Sequence, residues 1–412
     1  MRYFYLFRRL FGTLVTGILI VTPPSSIASN QVVVKGDPTC QRSQSIPNFL
    51  VFGGGGAPSY NEIALEKNVL YFQRTLKFLG YQPEKVASIF FANGNDGKAT
   101  VRYIDKDKKQ KFKPPEIPHL KGASTFNNLR TYIQQLGQNK NPQLSFFYFT
   151  GHGGENKRNL DNNSFYLWNN QEISVQEFTQ MLDKIPSQKP VVMMMAQCFS
   201  GSFANFIYEG GNPQRPVALQ TRCGFFATIK SLPSVGCTPE VNEADYRDYS
   251  SSFFAGLSGR DRTGTRVASA DYNKDGKVSY IEAHAFAKVD EKTMDLPIST
   301  SESWLQRRSS KQQNAILNQR ISDILKTSRP EQRYVVNSLM KTLNMDRQKS
   351  YLQNYKNISA KLKTDEQQAY AGRLGMELVN IITEKQVRTS NNKKDIAILE
   401  RLLKCESGSW VK

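Results

Sequence analysis

Two stretches of this 412-residue chain end in side chains that can make and break acyl bonds. In "LSFFYFTGHGG", residues 144–154, an aromatic-rich run stops at His152, with a glycine on either side. In "PVVMMMAQCFSGSF", residues 190–203, an apolar run stops at Cys198, and small, turn-prone residues follow at once. A thiolate can attack a carbonyl carbon while an imidazole takes and returns the protons. The backbone N–H groups of Gly153 and Cys198 are the candidates to hold the developing oxyanion, and glycines beside the histidine allow a substrate chain to approach closely. An inert buried cysteine and a capping histidine are the alternatives; with three histidines in the chain, a chance strand-end pairing is the weaker explanation.

The elements around these residues decide whether they meet. Both runs read as buried strands, and "ISVQEFTQMLDKI" between them reads as a helix with Ser174 and Glu177 forming a capping box. A strand–helix–strand unit joins parallel neighbours right-handedly and brings their carboxyl ends to one edge of the sheet, the edge where such sheets bind ligands. "FSGSFANFIY" predicts a turn and helix after Cys198, whose N-terminus would draw the thiol toward thiolate. Further upstream, "NFLVFGGGG" is a strand breaking into glycines, and "NEIALEKNVLYFQRTLKFLG" has apolar residues at helical spacing (Ile63, Leu65, Val69, Leu70, Phe72, Leu76, Leu79). "ASIFFANG" is a further short strand. The alternation from Pro47 to about Val289 predicts an α/β fold, a mostly parallel sheet flanked by helices. Gly53 to Gly56 lack the Lys-Ser/Thr of a phosphate loop and read as a strand-to-helix turn.

From about Ser301 five short amphipathic stretches predict a small all-helical C-terminal domain. It holds 21 Lys+Arg against 11 Asp+Glu, a net of +10 out of the chain's +19. The basic residues are scattered rather than clustered, which gives nucleic-acid binding little support. The expected organisation is a signal peptide at 1–28, a catalytic domain at 29–300 and the basic helical domain at 301–412. The leader rests on Arg8 and Arg9, the apolar run from Leu10 to Val21, and Ser26-Ile27-Ala28 as a cleavage pattern; an uncleaved anchor is the alternative. No later stretch approaches transmembrane length, so the mature chain is expected in a periplasm or outside a cell. Of its five cysteines (Cys40, Cys198, Cys223, Cys237, Cys405), an odd number, at least one is left unpaired in an oxidising compartment, and Cys198 is the best candidate.

"DYNKDGKVSYIE" carries the ligand spacing of a twelve-residue calcium loop: Asp271, Asn273 and Asp275 at positions one, three and five, the Lys277 carbonyl at seven, Ser279 at nine and Glu282 at twelve. Gly276 at six permits the sharp turn. A bound Ca2+, structural or activating and of modest affinity, is expected, on an isolated loop because "DRTGTRVASA" is a poor entering helix. The histidines are too few and too far apart in sequence for a zinc-catalysis motif to be read.

"FYFTGHGG" and "MMMAQCFSGSF" resemble the histidine-glycine and cysteine blocks of the caspase–legumain clan of cysteine peptidases, and Cys-Phe-Ser-Gly-Ser-Phe is most similar to the legumain family and its bacterial relatives. The resemblance covers roughly residues 47–260. It implies a caspase/legumain-like sheet and an exported thiol endopeptidase acting on peptide or protein through a His152–Cys198 dyad. It also implies Asn61, in "SYNEIALEKN", as the residue that orients the imidazole. "ATIKSLPSVGC" resembles the segment that lines the specificity pocket, which implies Ser234 near that pocket and makes Cys237 a family cysteine. Asp245 and Asp248 are further pocket candidates for a basic substrate side chain. The chain departs from the family at Glu62 and Ile63, where legumains carry an arginine, and at Ala196, where legumains and metacaspases are acidic, so neither family's side-chain preference carries over. Legumains have a helical C-terminal inhibitory region, which makes 301–412 a candidate lid, with an interaction module as the alternative. A non-catalytic calcium-stabilised binding protein and a transamidase or ligase using the same dyad are the competing functions.

Overall fold

The structure, a computed structural model, describes residues 46–410; the expected leader and Cys40 lie outside the described residues. In chain order the elements are β1 (Asn48–Gly54), α1 (Ile63–Phe78), β2 (Ala87–Phe91), a hairpin of β3 (Val101–Ile104) and β4 (Gln110–Lys113), α2 (Phe126–Gln138) and β5 (Ser145–Gly151). A small antiparallel strip comes next, formed by β6 (Gly153–Gly154), β7 (Ser164–Leu167) and β8 (Gln171–Ser174), then α3 (Val175–Leu182) and β9 (Val191–Ala196). After β10 (Arg222–Phe226) come α4 (Tyr249–Ser258), α5 (Tyr280–Asp290) and β11 (Ile298–Ser299). The larger C-terminal helices are α6 (Thr300–Ser309), α7 (Pro330–Thr342), α8 (Tyr351–Ile358), α9 (Asp365–Arg388) and α10 (Lys393–Glu406), with shorter helical turns among them.

The central sheet has the order β2-β1-β5-β9-β10-β11. Its first five strands run parallel and β11 is antiparallel at the edge. The sequence explains why β5 is central. Side chains alternate between the two faces of a strand, and here both faces are apolar. Phe147 and Phe149 pack edge-on against Phe178 of α3 on one face, while Tyr148 stacks on Phe72 of α1 and meets Phe254 of α4 on the other. Helices cover both faces, as a parallel sheet requires. The Ser174–Glu177 capping box starts α3 as the sequence predicts.

The described residues 46–410 pack as one compact unit, so the change of texture near residue 300 is not a break in packing. The C-terminal helices do have an apolar cluster of their own, including Val336, Leu339, Leu374 and Leu378. Yet Leu399, Leu402 and Leu403 of α10 belong to the core of the sheet. Trp410, 1% exposed, lies edge-on to Phe49, Phe72 and Phe146. A disulfide joins Cys223 of β10 to Cys405 of α10. Helix α10 and Trp410 are thus part of the sheet's own core. Among the described residues no helix is long and apolar enough to cross a membrane.

Candidate active site

Sheet register brings the histidine and the cysteine level with each other. Thr150 of β5 is paired with Ala196 of β9, and His152 and Cys198 each stand two residues further along, beyond the same edge. The approach of the two strand ends is tight. A Cβ built on Gly153 would lie 2.1 Å from the Cys198 carbonyl oxygen and 3.0 Å from Gln197 Cγ, so only glycine fits there. His152 accepts from the Tyr166 N–H through its carbonyl (3.0 Å), which makes the next pair, Gly153–Phe165, one of the non-hydrogen-bonded pairs of an antiparallel ladder. The Gly153 N–H is therefore not claimed by β7. Among the described residues, the Cys198 N–H donates to no backbone carbonyl.

The imidazole is held by Glu62, not by Asn61. Glu62 Oε2 lies 2.9 Å from His152 Nε2, and the carboxylate is 4% exposed. Burial pushes its pKa up, but the hydrogen bond and charge of His152 and the hydrogen bond from Arg102 outweigh that, and the net shift is downward. Glu62 is the N-terminal flanking residue of α1, yet its side chain does not cap the helix. Instead it turns toward Arg102 on β3, to which it is salt-bridged (2.5 Å). A carboxylate on Nε2 fixes the neutral ring with its proton on that nitrogen and leaves the Nδ1 lone pair as the base. Among the described residues Nδ1 has no hydrogen-bond partner.

Asn61, the expected orienting residue, is fully buried and spent on the backbone: its Oδ1 accepts from the Gly55 N–H (3.0 Å) and its Nδ2 donates to the Thr100 carbonyl (3.2 Å). These bonds brace the glycine turn after β1, where a Cβ on Gly55 would collide with the Tyr60 carbonyl at 1.8 Å. The glycine run is thus a turn, in keeping with its sequence. Tyr60 stands edge-on to His152, ring centres 5.7 Å apart.

Cys198 is partly buried. Its thiol pKa is raised, first by burial; the Ser234 N–H opposes this and the charge of Asp295 adds to it. This reverses the expected depression by a helix N-terminus. Phe199 takes a left-handed conformation, φ 59°, and the chain then winds into a 3-10 helix from Ser200 to Ile207 rather than an α-helix, so no aligned α-helical dipole starts at the sulfur.

The segment after β10 wraps the thiol. Ser234 N–H donates to Cys198 Sγ (3.3 Å) and the Ser234 carbonyl is 3.5 Å from the same sulfur. Behind it, Ser234 Oγ donates to Asp295 Oδ2 (2.6 Å). Asp295 is fully buried, and burial first of all pushes its carboxyl up to about 6. The two acids proposed from sequence for the pocket are otherwise engaged. Asp248 caps α4 by accepting from Ser251 N–H (2.7 Å) and is buried in an ion pair with Arg262 (3.0 Å); Asp245 is exposed and accepts from Asn242 Nδ2 (2.6 Å). Neither carboxylate is turned to Cys198 by any of these bonds. Asp295 and Glu62 are the site residues that sequence reasoning missed. Glu62 stood next to Asn61 as an acid at a helix start; nothing local marks Asp295.

Among the described residues Cys237 is the other free thiol, and its Sγ is 3.8 Å from the Gly151 carbonyl. Its thiol is held well above the ordinary range by burial and then by Glu62 and Cys198. The side chain is reached by solvent, which weakens the burial and the charge effects alike. Glu62, His152 and Cys237 offer an oxygen, a nitrogen and a sulfur that all lie within 4.8 Å of one another.

The 271–282 loop has the shape of a cation loop. Asp271 accepts from the N–H groups of Asp275 and Gly276 (3.1 and 3.0 Å), Asn273 Oδ1 from Asp275 N–H (2.9 Å), and Glu282 Oε1 reaches back to the N–H groups of Tyr272 and Asn273 (2.9 and 3.1 Å). Gly276 takes the φ of 86° that the turn needs. Ser279 and Glu282 form the capping box of α5, which occupies the Ser279 hydroxyl as a helix cap. The acids and the glycine fit Ca2+; Lys277 contributes only its carbonyl position. His284, buried between Tyr249 Oη (2.6 Å) and Glu302 (3.1 Å), is structural.

No protein-family description matches this chain, and no curated protein is similar enough to it to be matched.

Proposed function

We propose that the chain is an exported cysteine endopeptidase of caspase–legumain type, with Cys198 as nucleophile and His152 as general base and acid. The observation that carries this reading is the Glu62 carboxylate on His152 Nε2, which leaves Nδ1 free on a ring level with Cys198. In the first step Nδ1 takes the thiol proton as sulfur bonds to the scissile carbonyl carbon, and the carbonyl oxygen becomes an oxyanion facing the N–H groups of Gly153 and Cys198. Collapse breaks the C–N bond; the imidazolium returns its proton to the leaving amine and a thioester remains. Water, deprotonated by the same nitrogen, then releases the acid and restores the thiol. A raised resting thiol pKa suits transfer of the proton on attack rather than a standing thiolate.

The Cys223–Cys405 disulfide supports an oxidising compartment and so an exported chain. Ca2+ on Asp271, Asn273, Asp275, the Lys277 carbonyl and Glu282 is part of the proposal. When bound it would neutralise acids at the start of α5 and stiffen that loop. A partly buried Cys198 with a raised thiol pKa is also what a non-catalytic binding protein would have. Digestion of a diverse peptide library, with and without Ca2+, beside Cys198→Ala separates the two. Cleavage that vanishes in the variant supports the peptidase; no cleavage in either sinks it. Joined peptides on adding an amine nucleophile would point to the transamidase.

A further inference from the structure

We propose that Glu62, His152 and Cys237 form an inhibitory Zn2+ site. Its effect on catalysis rests on the peptidase reading above; the binding does not. The three residues are far apart in the chain, and their ligand atoms converge within 4.8 Å. Zinc takes this donor set, carboxylate oxygen, imidazole nitrogen and thiolate sulfur, with tetrahedral geometry. Bonds of about 2.0–2.3 Å put neighbouring donors about 3.3–3.8 Å apart. Glu62 Oε2 and His152 Nε2, now at 2.9 Å, would part slightly, and the sulfur would close in. Exposed Cys237 is the side from which an ion can enter, and water or substrate would take the fourth position.

The site also has what an ion needs beyond three donors. Arg102 holds Glu62 from behind, as outer partners orient metal ligands. Thiolate selects zinc over the harder calcium expected at the 271–282 loop. The consequence for catalysis is set by proton balance. Zinc bonds to Cys237 Sγ and expels its proton to solvent. At His152 the metal replaces the proton on Nε2, and that proton moves to Nδ1. The ring stays neutral, but the lone pair that would take the Cys198 proton is gone. Zinc would therefore stop the dyad without touching Cys198.

The test begins with the full chain carrying Cys198→Ala, which cannot turn over. Its Zn2+ binding is measured by competition with a chromogenic zinc indicator in millimolar Ca2+. One zinc per chain is expected, weakened on the order of 100-fold or more when Cys237→Ser is added, at or beyond the loss typical of an outer partner. In Cys237→Ser alone, whatever peptide hydrolysis remains should no longer respond to zinc. Should that variant not fold, iodoacetamide labelling of the unmutated chain decides instead: zinc must slow labelling at Cys237, read by peptide mass mapping. No stoichiometric zinc, binding indifferent to Cys237→Ser in a folded chain, or unprotected Cys237 would overturn the site. Zinc binding without any peptide cleavage would keep the site and end the peptidase reading, so the two fail separately.

Discussion

Glu62 Oε2 and His152 Nε2 lie 2.9 Å apart, brought together from positions 90 residues apart in the chain. The pair replaces Asn61 as the support of the imidazole, and the two neighbours make different predictions. Glu62→Ala should lower kcat/KM by on the order of 10^2 to 10^4, the range for loss of a proton-handling or orienting group, in addition to the stability lost by leaving Arg102 without its partner. Asn61→Ala should instead orphan the Gly55 N–H and the Thr100 carbonyl and cost about 1–3 kcal/mol, read as a denaturation midpoint. Equal activity losses from both would place the support elsewhere.

The raised thiol pKa of Cys198 sets a pH dependence. Burial lifts it above its ordinary value, so the sulfur stays protonated at neutral pH and alkylation must speed up as pH climbs past that value. Labelling of Cys198 by iodoacetamide, resolved from Cys237 by mass mapping, should rise steadily toward alkaline pH with no plateau near neutrality. A plateau below pH 7 would mean a standing thiolate.

Trp410 and Cys405 tie the chain end into the sheet. Trp410→Ala should destabilise by about 3–5 kcal/mol, as large buried aromatics do, and a chain ending near residue 300 should not fold to a soluble, cooperative unit. Circular dichroism melts and solubility check both. A truncated chain that is folded and more active would restore the lid.

Calcium should stabilise the chain. At ten times its Kd it contributes about 1.4 kcal/mol, and the thermal midpoint should rise accordingly. Asp271→Asn with Glu282→Gln should abolish that rise and also lower the calcium-free midpoint, because each new NH2 faces N–H groups that the carboxylate accepts from. An unchanged midpoint in the parent at millimolar Ca2+ would remove the ion from the proposal.

Much of this molecule is written locally. The apolar runs of β1, β5 and β9, the helical spacing of α1 and the Ser174–Glu177 cap each depend on a few neighbouring residues, so an α/β sheet with His152 and Cys198 at strand ends can be read before any coordinates. The hairpin of β3 and β4 could not be read in that way. "VRYI" and "QKFK" are four residues each and the second is mostly polar, yet they matter because Arg102 grips Glu62. The same limit applies to α9, 24 residues long, of which the sequence shows only one amphipathic part. Its Arg373, buried, donates to the carbonyls of Lys288, Glu291, Thr293 and Asp295 (2.7–3.1 Å), holding the segment behind Ser234.

Which acid supports the histidine, which thiols pair, and where the chain end lies depend on residues distant in sequence. Nothing near Asn61 says that its amide will be used up bracing a turn, and nothing near Asp248 says that Arg262 will claim its carboxylate. Periodicity and caps are properties of a window of residues, and the chain carries them wherever it goes. Hydrogen-bond partners and pKa shifts are properties of a packed interior. They arise only after burial has removed the water that would otherwise satisfy each group, and tertiary structure alone decides what replaces it.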